Sequence, residues 1–511
     1  MNWTALIVFI ALFLFVTGLG FFAARWRRGD LDLLHEWGLG GRRFGTVVTW
    51  FLLGGDLYTA YTFIAVPALM FGAGALGFFA VPYTIMVYPI LYVVFPRLWS
   101  VAHRHGFVTA ADFVRGRFGN RWLALAVALT GLLATMPYIA LQLVGMQVVI
   151  GALGVETSGF VGDLPLIIAF VILAAFTYSS GLRAPAMIAV VKDVLIYITV
   201  IAAVIVVPMQ LGGYGAIFAK VPPAKQLLAL PPPGSLGSFS AYATLALGSA
   251  LALFLYPHSI TGVLSSSSAR VIRRNAAILP AYSLVLGLLA LLGFMAIAYG
   301  LQQRPEFAAG FKHYGNNFAI PALILAAFPS WFVGLAFAAI AIGALVPAAI
   351  MSIATANLFT RNIYREFIHP NCTDAEESRV AKLASLVVKA GALVFIFALD
   401  LPYALQLQLL GGVWIIQILP SVVLALYTRM LHGWALLIGW AVGIGLGTWM
   451  AWTLDFKGAI YPLSMFGTTV PCYIALSSLL VNIVVAAVLS VIFNATASDR
   501  HKDRTVAEDY A

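Results

Sequence analysis

Apolar runs of about 20 residues recur along this chain from Trp3 almost to Asn494, and that is the length an α-helix needs to cross about 30 Å of hydrocarbon. In that medium every backbone amide and carbonyl must find its partner inside the protein, which leaves a helical bundle as the fold. Composition agrees: 62% of the residues are hydrophobic and 9% charged, where a soluble domain carries about a quarter charged residues. The first run, Leu6 to Ala24, is too long for a signal-peptide core and has neither basic residues before it nor a small-residue cleavage site after it, so it reads as a retained helix. Cys372 and Cys472 lie in unlike contexts and suggest neither a disulfide framework nor a metal cluster. The expectation is an all-α, multi-pass protein of a plasma (inner) membrane.

Thirteen candidate spans fall near residues 4–24, 45–70, 75–96, 122–152, 163–181, 185–208, 240–262, 277–301, 329–360, 380–399, 404–428, 432–453 and 471–494. With the N-terminus outside and the C-terminus inside, the external segments hold only Lys220, Lys225, Arg304, Lys312 and Lys457 of the 29 basic residues, as the positive-inside rule requires. The net charge of +10 is then topological, and no nucleic-acid partner follows. Residues 1–494 form a single transmembrane domain: an extra first helix at 4–24, a first repeat near 45–208, a second near 240–428 and peripheral helices at 432–494. Residues 495–511 are a short cytoplasmic tail. The longest polar interruptions, Gln210–Phe239 and Gln302–Asn317, are too short for a soluble domain. Without a Walker A motif, zinc-ligand spacing or a Ser/His/Asp elbow in the sequence, transport is expected rather than catalysis. No organic cofactor and no obligatory protein partner is implied.

Two spans carry breaks. Span two contains Gly54-Gly55-Asp56 and then Pro67, and span seven contains Tyr256-Pro257-His258 followed by Thr261 and Gly262. Glycine costs a helix about 1 kcal/mol relative to alanine, and proline deletes a backbone donor. Breaks five spans apart occupy corresponding places in two halves, which is the sequence pointer to a transporter binding site built on inverted repeats. Ionisable groups within the spans are few: Asp56, Lys192, Asp193, His258 and Lys389. Each needs a reason to be there, because a charge at the helix centre costs about 3 kcal/mol on insertion scales. Lys192 and Asp193 either reach cytoplasmic water or pair locally, Lys389 is unassigned, and Asp56 is the least explained by position.

Four segments together carry a resemblance. They are Gly106-Phe107-Val108-Thr109-Ala110-Ala111-Asp112-Phe113 through Gly119, with Thr109 as N-cap and Asp112 at the third helical position; Tyr178-Ser179-Ser180-Gly181-Leu182-Arg183-Ala184 through Lys192-Asp193; Pro257-His258; and Asn357-Leu358-Phe359-Thr360-Arg361-Asn362-Ile363-Tyr364. The chain resembles the sodium:solute symporter family over nearly its whole length. That implies a leucine-transporter-like (LeuT-like) core of 5+5 inverted repeats. In sodium-coupled relatives, the resemblance implies, the cation sits between the break of span two and span nine, held by carbonyls and two hydroxyls. The corresponding positions here are Gly55 and Tyr58 on span two and Gly343, Val346 and Pro347 on span nine, and neither Val346 nor Pro347 has an oxygen to offer. Ser352 and Thr355 lie one to two turns further on.

The pairing of Gly-Gly-Asp in span two with Leu-Val-Pro-Ala-Ala in span nine looks like the family's monocarboxylate permease branch. The implied function is symport of a small monocarboxylate (pyruvate, lactate, acetate or propionate) by alternating access, coupled to H⁺ or Na⁺ with H⁺ favoured. The alternative is a Na⁺-coupled symporter of another small solute such as an amino acid. Expected substrate residues are Gly55, Asp56, Tyr58, Thr59, Tyr138, Gln142, Tyr256 and His258. Asp56 and Asp193 are the candidates for the coupling ion, Asp56 as a proton carrier because a carboxyl in a poorly solvated break resists ionisation.

Overall fold

The computed structural model describes residues 2–26, 29–55, 57–155, 159–397, 404–496 and 503–511. Within these residues the apolar runs fall largely on helix. Nine helices among the described residues are long and apolar enough to cross a bilayer alone, and Gly237–Leu253 with Pro257–Leu264 supplies a tenth if the bent pair is one span. Thr46–Gly55 and Leu164–Ser180 are apolar but shorter.

The expectation of an all-helical chain needs one correction. Ile460–Met465 and Thr468–Tyr473 form an antiparallel hairpin with Tyr461 opposite Cys472, so the last span begins at Ile474, not near residue 471. Phe466 and Gly467 both adopt positive φ, 51° and 79°, the backbone that a two-residue hairpin loop demands. In the sequence the second strand merges into the apolar run that follows it, which hid the turn.

Ser330–Phe359 is the central column. It packs against Arg121–Ala152, Trp3–Phe22 and Arg183–Leu211, and 94% of its most apolar window is buried. A helix apolar all round belongs inside a bundle. Trp3–Arg25 and Ile474–Thr496 are equally apolar but only 17% and 28% buried, so they present their side chains to lipid.

Both expected breaks are present. Span two is helical over Thr46–Gly55, resumes as a π-turn at Tyr61–Ala65 and continues as Val66–Ala73 with Pro67 in the first turn. Span seven stops at Leu253, passes through extended Tyr256 and restarts at Pro257, bent by 50°. Proline fits there because the first helical residue has no intrahelical bond to lose.

At one end of the bundle the sequence motifs meet. The Thr109 hydroxyl accepts the Asp112 amide at 3.0 Å, and the Asp112 carboxylate accepts the amides of Val108 and Thr109 at 2.8 and 3.3 Å, which is the expected capping box. Asn362 binds both cap residues, accepting from the Thr109 hydroxyl and donating to Asp112, each at 2.7 Å. Arg361 and Arg365 pair with Glu377 at 3.2 and 2.6 Å, and Arg183 pairs with Glu36. Gly181 sits at φ 57°, where an added Cβ would lie 2.2 Å from the Trp37 carbonyl. Residues 503–511 lie against this end: Asp503 pairs with Arg117 at 2.5 Å, Asp509 with His105 at 2.8 Å, and Tyr510 stands edge-on to Phe113. Replacing Asp112 with alanine removes the cap and the Asn362 bond together. The expected loss is about 1–3 kcal/mol, read as a lower melting midpoint of the detergent-purified protein.

Candidate cation and substrate site

Once span two leaves the α-helix at Gly55, its backbone groups must be satisfied by other means. The amides of Leu57 and Tyr58 turn back to the Gly54 carbonyl at 3.0 and 3.3 Å. The Thr59 amide donates to the Thr62 hydroxyl at 2.9 Å, the Tyr61 amide to the Thr59 hydroxyl at 3.1 Å, and the Ala60 amide to Gln142 Oε1 on span four at 3.1 Å. The carbonyls of Gly55 and Tyr58 both accept from Lys192 Nζ on span six, at 2.7 and 3.1 Å. Asp56, between them in sequence, lies outside the described residues.

Lys192 Nζ also stands 3.0 Å from Asp193 Oδ1, and both side chains are 0% exposed. Of the two options open from sequence, the pair takes the local one and is shut off from water. Tyr282 lies beside Asp193, and the Tyr197 ring stands edge-on to that of Tyr282 at 5.4 Å. Tyr58 closes the group by donating its hydroxyl to the Tyr282 carbonyl, its ring edge-on to Tyr282 at 4.1 Å. Gly55 is required for the approach: a Cβ there would stand 2.7 Å from Lys192 Nζ and 3.6 Å from Asp193 Oδ2. Span nine contributes Gly343, whose added Cβ would stand 4.0 Å from the Tyr58 carbonyl oxygen.

A second group lies on the other side of the break. The rings of Tyr138, Tyr256 and His258 are mutually 5.3 Å apart, and all three are buried. Gln142 follows one turn after Tyr138 on the same face and donates to its carbonyl at 3.3 Å. The Tyr256 hydroxyl donates to the Gln408 carbonyl at 3.2 Å across span eleven, where Gly411 makes room: a Cβ would lie 2.6 Å from that hydroxyl. Tyr61 is buried near Tyr138 and Tyr256, and its ring is 6.4 Å from that of Tyr83. The structure therefore brings Tyr138, Gln142, Tyr256 and His258 together and adds Tyr61 and Tyr83, which sequence reasoning missed. It turns Tyr58 toward Lys192 and Asp193, and the Thr59 hydroxyl is engaged within its own turn. Tyr58 and Tyr61 are three residues apart and would share a face of an intact helix; the break sends them to opposite groups.

Val346 and Pro347 are buried in span nine. The hydroxyls of Ser352 and Thr355 donate to carbonyls of their own helix, Ala349 and Met351, at 2.8 Å each. Ser385 donates to Ser352 at 3.3 Å and accepts from Lys389 Nζ at 2.7 Å, which is where the unassigned Lys389 ends.

Comparison with known proteins agrees with this architecture. The profile described as "Sodium:solute symporter family" matches residues 37–443. The "Monocarboxylate transport permease protein" of Rhizobium johnstonii is 53% identical over 504 residues, covering 98% of this chain and 99% of its own. An uncharacterized symporter of Bacillus subtilis, YodF, is 35% identical over 464 residues, 90% of each chain. Among solved structures, the substrate-bound outward-open state of a Na⁺-coupled sialic acid symporter superposes with a TM-score of 0.75 over 96% of this chain and 98% of its own at 14% identity. A nucleobase-cation-symport-1 family transporter in a closed conformation gives 0.56 over 95% and 100% at 13% identity. At such identities the likeness is one of fold.

Gly55→Ala tests the close approach of span six. The methyl would displace the ammonium from its carbonyls, and losing charge-assisted hydrogen bonds costs about 1.5–3 kcal/mol each. The melting midpoint is expected to fall, whereas Gly45→Ala, with nothing within 4 Å of its added Cβ, leaves it unchanged.

Proposed function

The chain belongs to the sodium:solute symporter family and is a multi-pass membrane transporter, and from that premise we propose that it takes up small monocarboxylates, of the pyruvate, lactate, acetate or propionate class, in symport with H⁺. The observation that carries the reading is the buried group of Tyr138, Gln142, Tyr256 and His258, set between the breaks of spans two and seven. A few buried hydrogen-bonding groups in a mainly apolar bundle suit a solute with one carboxylate and a short carbon tail. The permease relative at 53% identity points the same way.

In this reading the solute's carboxylate engages His258 and the tyrosine hydroxyls while Gln142 holds the break in place. Gly55, Tyr58 and Thr59 shape the break from span two. Asp56 carries the proton: a protonated carboxyl tolerates an anionic neighbour, an ionised one repels it. The N-outside orientation places the motif-rich end in the cytoplasm, and the two broken spans fall in corresponding places of inverted repeats near 45–208 and 240–428. Alternating access then exposes the site to each side in turn.

Purified protein in liposomes decides the matter. Labelled pyruvate is expected to show saturable counterflow, with accumulation driven by an inward proton gradient, abolished by a protonophore and unchanged when choline replaces Na⁺. Asp56→Asn is expected to keep counterflow and lose gradient-driven accumulation. His258→Phe removes a hydrogen bond to the solute, worth about tenfold in apparent affinity. Strict Na⁺ dependence, or uptake of an amino acid in place of pyruvate, would reject the proposal in favour of Na⁺-coupled transport of another solute.

A further inference from the structure

The carbonyls of Gly55 and Tyr58 are released by the break in span two and converge from one side on a single point in the protein interior. Asp193 reaches the same point from span six, and Gly343 leaves it open from span nine. Two carbonyl oxygens and a carboxylate converging in the buried interior is the donor chemistry of a hard monovalent or divalent cation. The point is filled by Lys192 Nζ, at 2.7, 3.1 and 3.0 Å from the three oxygens.

We propose that the Lys192 ammonium is a tethered cation that takes the place of a dissolved alkali ion at this break. The geometry supports this over an ordinary structural ion pair in two ways. Lys192 and Asp193 are adjacent in sequence, yet the ammonium spends two of its three hydrogens on backbone carbonyls that only the break makes available. Gly55 has no side chain where an added Cβ would lie 2.7 Å from the ammonium and force it to shift. Among the described residues the groups at Nζ are the span-two carbonyls and Asp193 on its own helix, with Tyr282 beyond Asp193 on span eight, and Gly343 of span nine, near the Tyr58 carbonyl, has no side chain to bring. A tethered ammonium satisfies the oxygens permanently, and the transporter then has no use for Na⁺ here. The inference rests on the transporter reading but not on the identity of the solute.

The test compares Na⁺ with choline in thermal unfolding of the detergent-purified full chain, with no substrate present. The wild type is expected to show no Na⁺-selective stabilisation. Lys192→Ala leaves the oxygens unoccupied and is expected to gain a Na⁺-selective rise of about 2 °C or more in melting midpoint. A wild type that Na⁺ stabilises as much as it does the variant overturns the proposal, as does a folded Lys192→Ala protein indifferent to Na⁺. Should Lys192→Ala fail to accumulate, Lys192→Arg and Lys192→Met decide by substrate counterflow. A tethered cation requires the arginine variant to exceed the methionine variant by about tenfold; equal rates overturn it. Failure of wild-type pyruvate counterflow would refute the monocarboxylate reading and leave the Na⁺ comparison intact.

Discussion

A helix cannot be interrupted inside hydrocarbon unless something else bonds the groups it releases, and the rest of the core is arranged around meeting that condition at span two. Lys192 takes two carbonyls, Gln142 takes an amide, the amides of Leu57 and Tyr58 return to the Gly54 carbonyl, and the Thr59 and Thr62 hydroxyls take two more amides within the turn. Each outside partner comes from a different span, so the break fixes the relative positions of spans two, four and six more tightly than apolar packing would. The aromatic group at span seven depends on this, since Tyr138 and Gln142 share one helical face and Gln142 is pinned by the Ala60 amide.

Much of this was legible beforehand. Run length pointed to the apolar spans, nine or ten of which are membrane-length helices among the described residues, because the bilayer imposes a single length scale. The two breaks were legible because Gly-Gly and Pro act locally on backbone geometry. The capping box at Thr109 and Asp112 was legible for the same reason: its partners are three residues apart. What stayed hidden required a distance between spans. That Lys192 would reach Gly55 and Tyr58, more than 130 residues away, is invisible to any local pattern; at best a lysine in a span facing a span with adjacent glycines is a hint. Tyr61 escaped because the break rotates the helix face on which it sits. The hairpin at 460–473 escaped because its second strand runs without a gap into the apolar helix after it.

The motif-rich end of the bundle is organised by a different physics. There Asp112, Asn362, Arg361, Arg365 and Glu377 form a continuous set of charge-assisted bonds linking the short helix after span three to the π-turn after span nine and the start of span ten. The C-terminal residues 503–511 lie on the same surface through Arg117 and His105. Glu377 and Asn362 are themselves buried, so this polar set, like the bonds at the break, is a fixed part of the packed interior.

In electrical terms, the pairing of Lys192 with Asp193 has a further consequence. Moving one elementary charge across 100 mV is worth about 2.3 kcal/mol, but an ammonium and a carboxylate 3.0 Å apart that move together present almost no net charge to the field. The membrane voltage therefore has little leverage on span six through this pair.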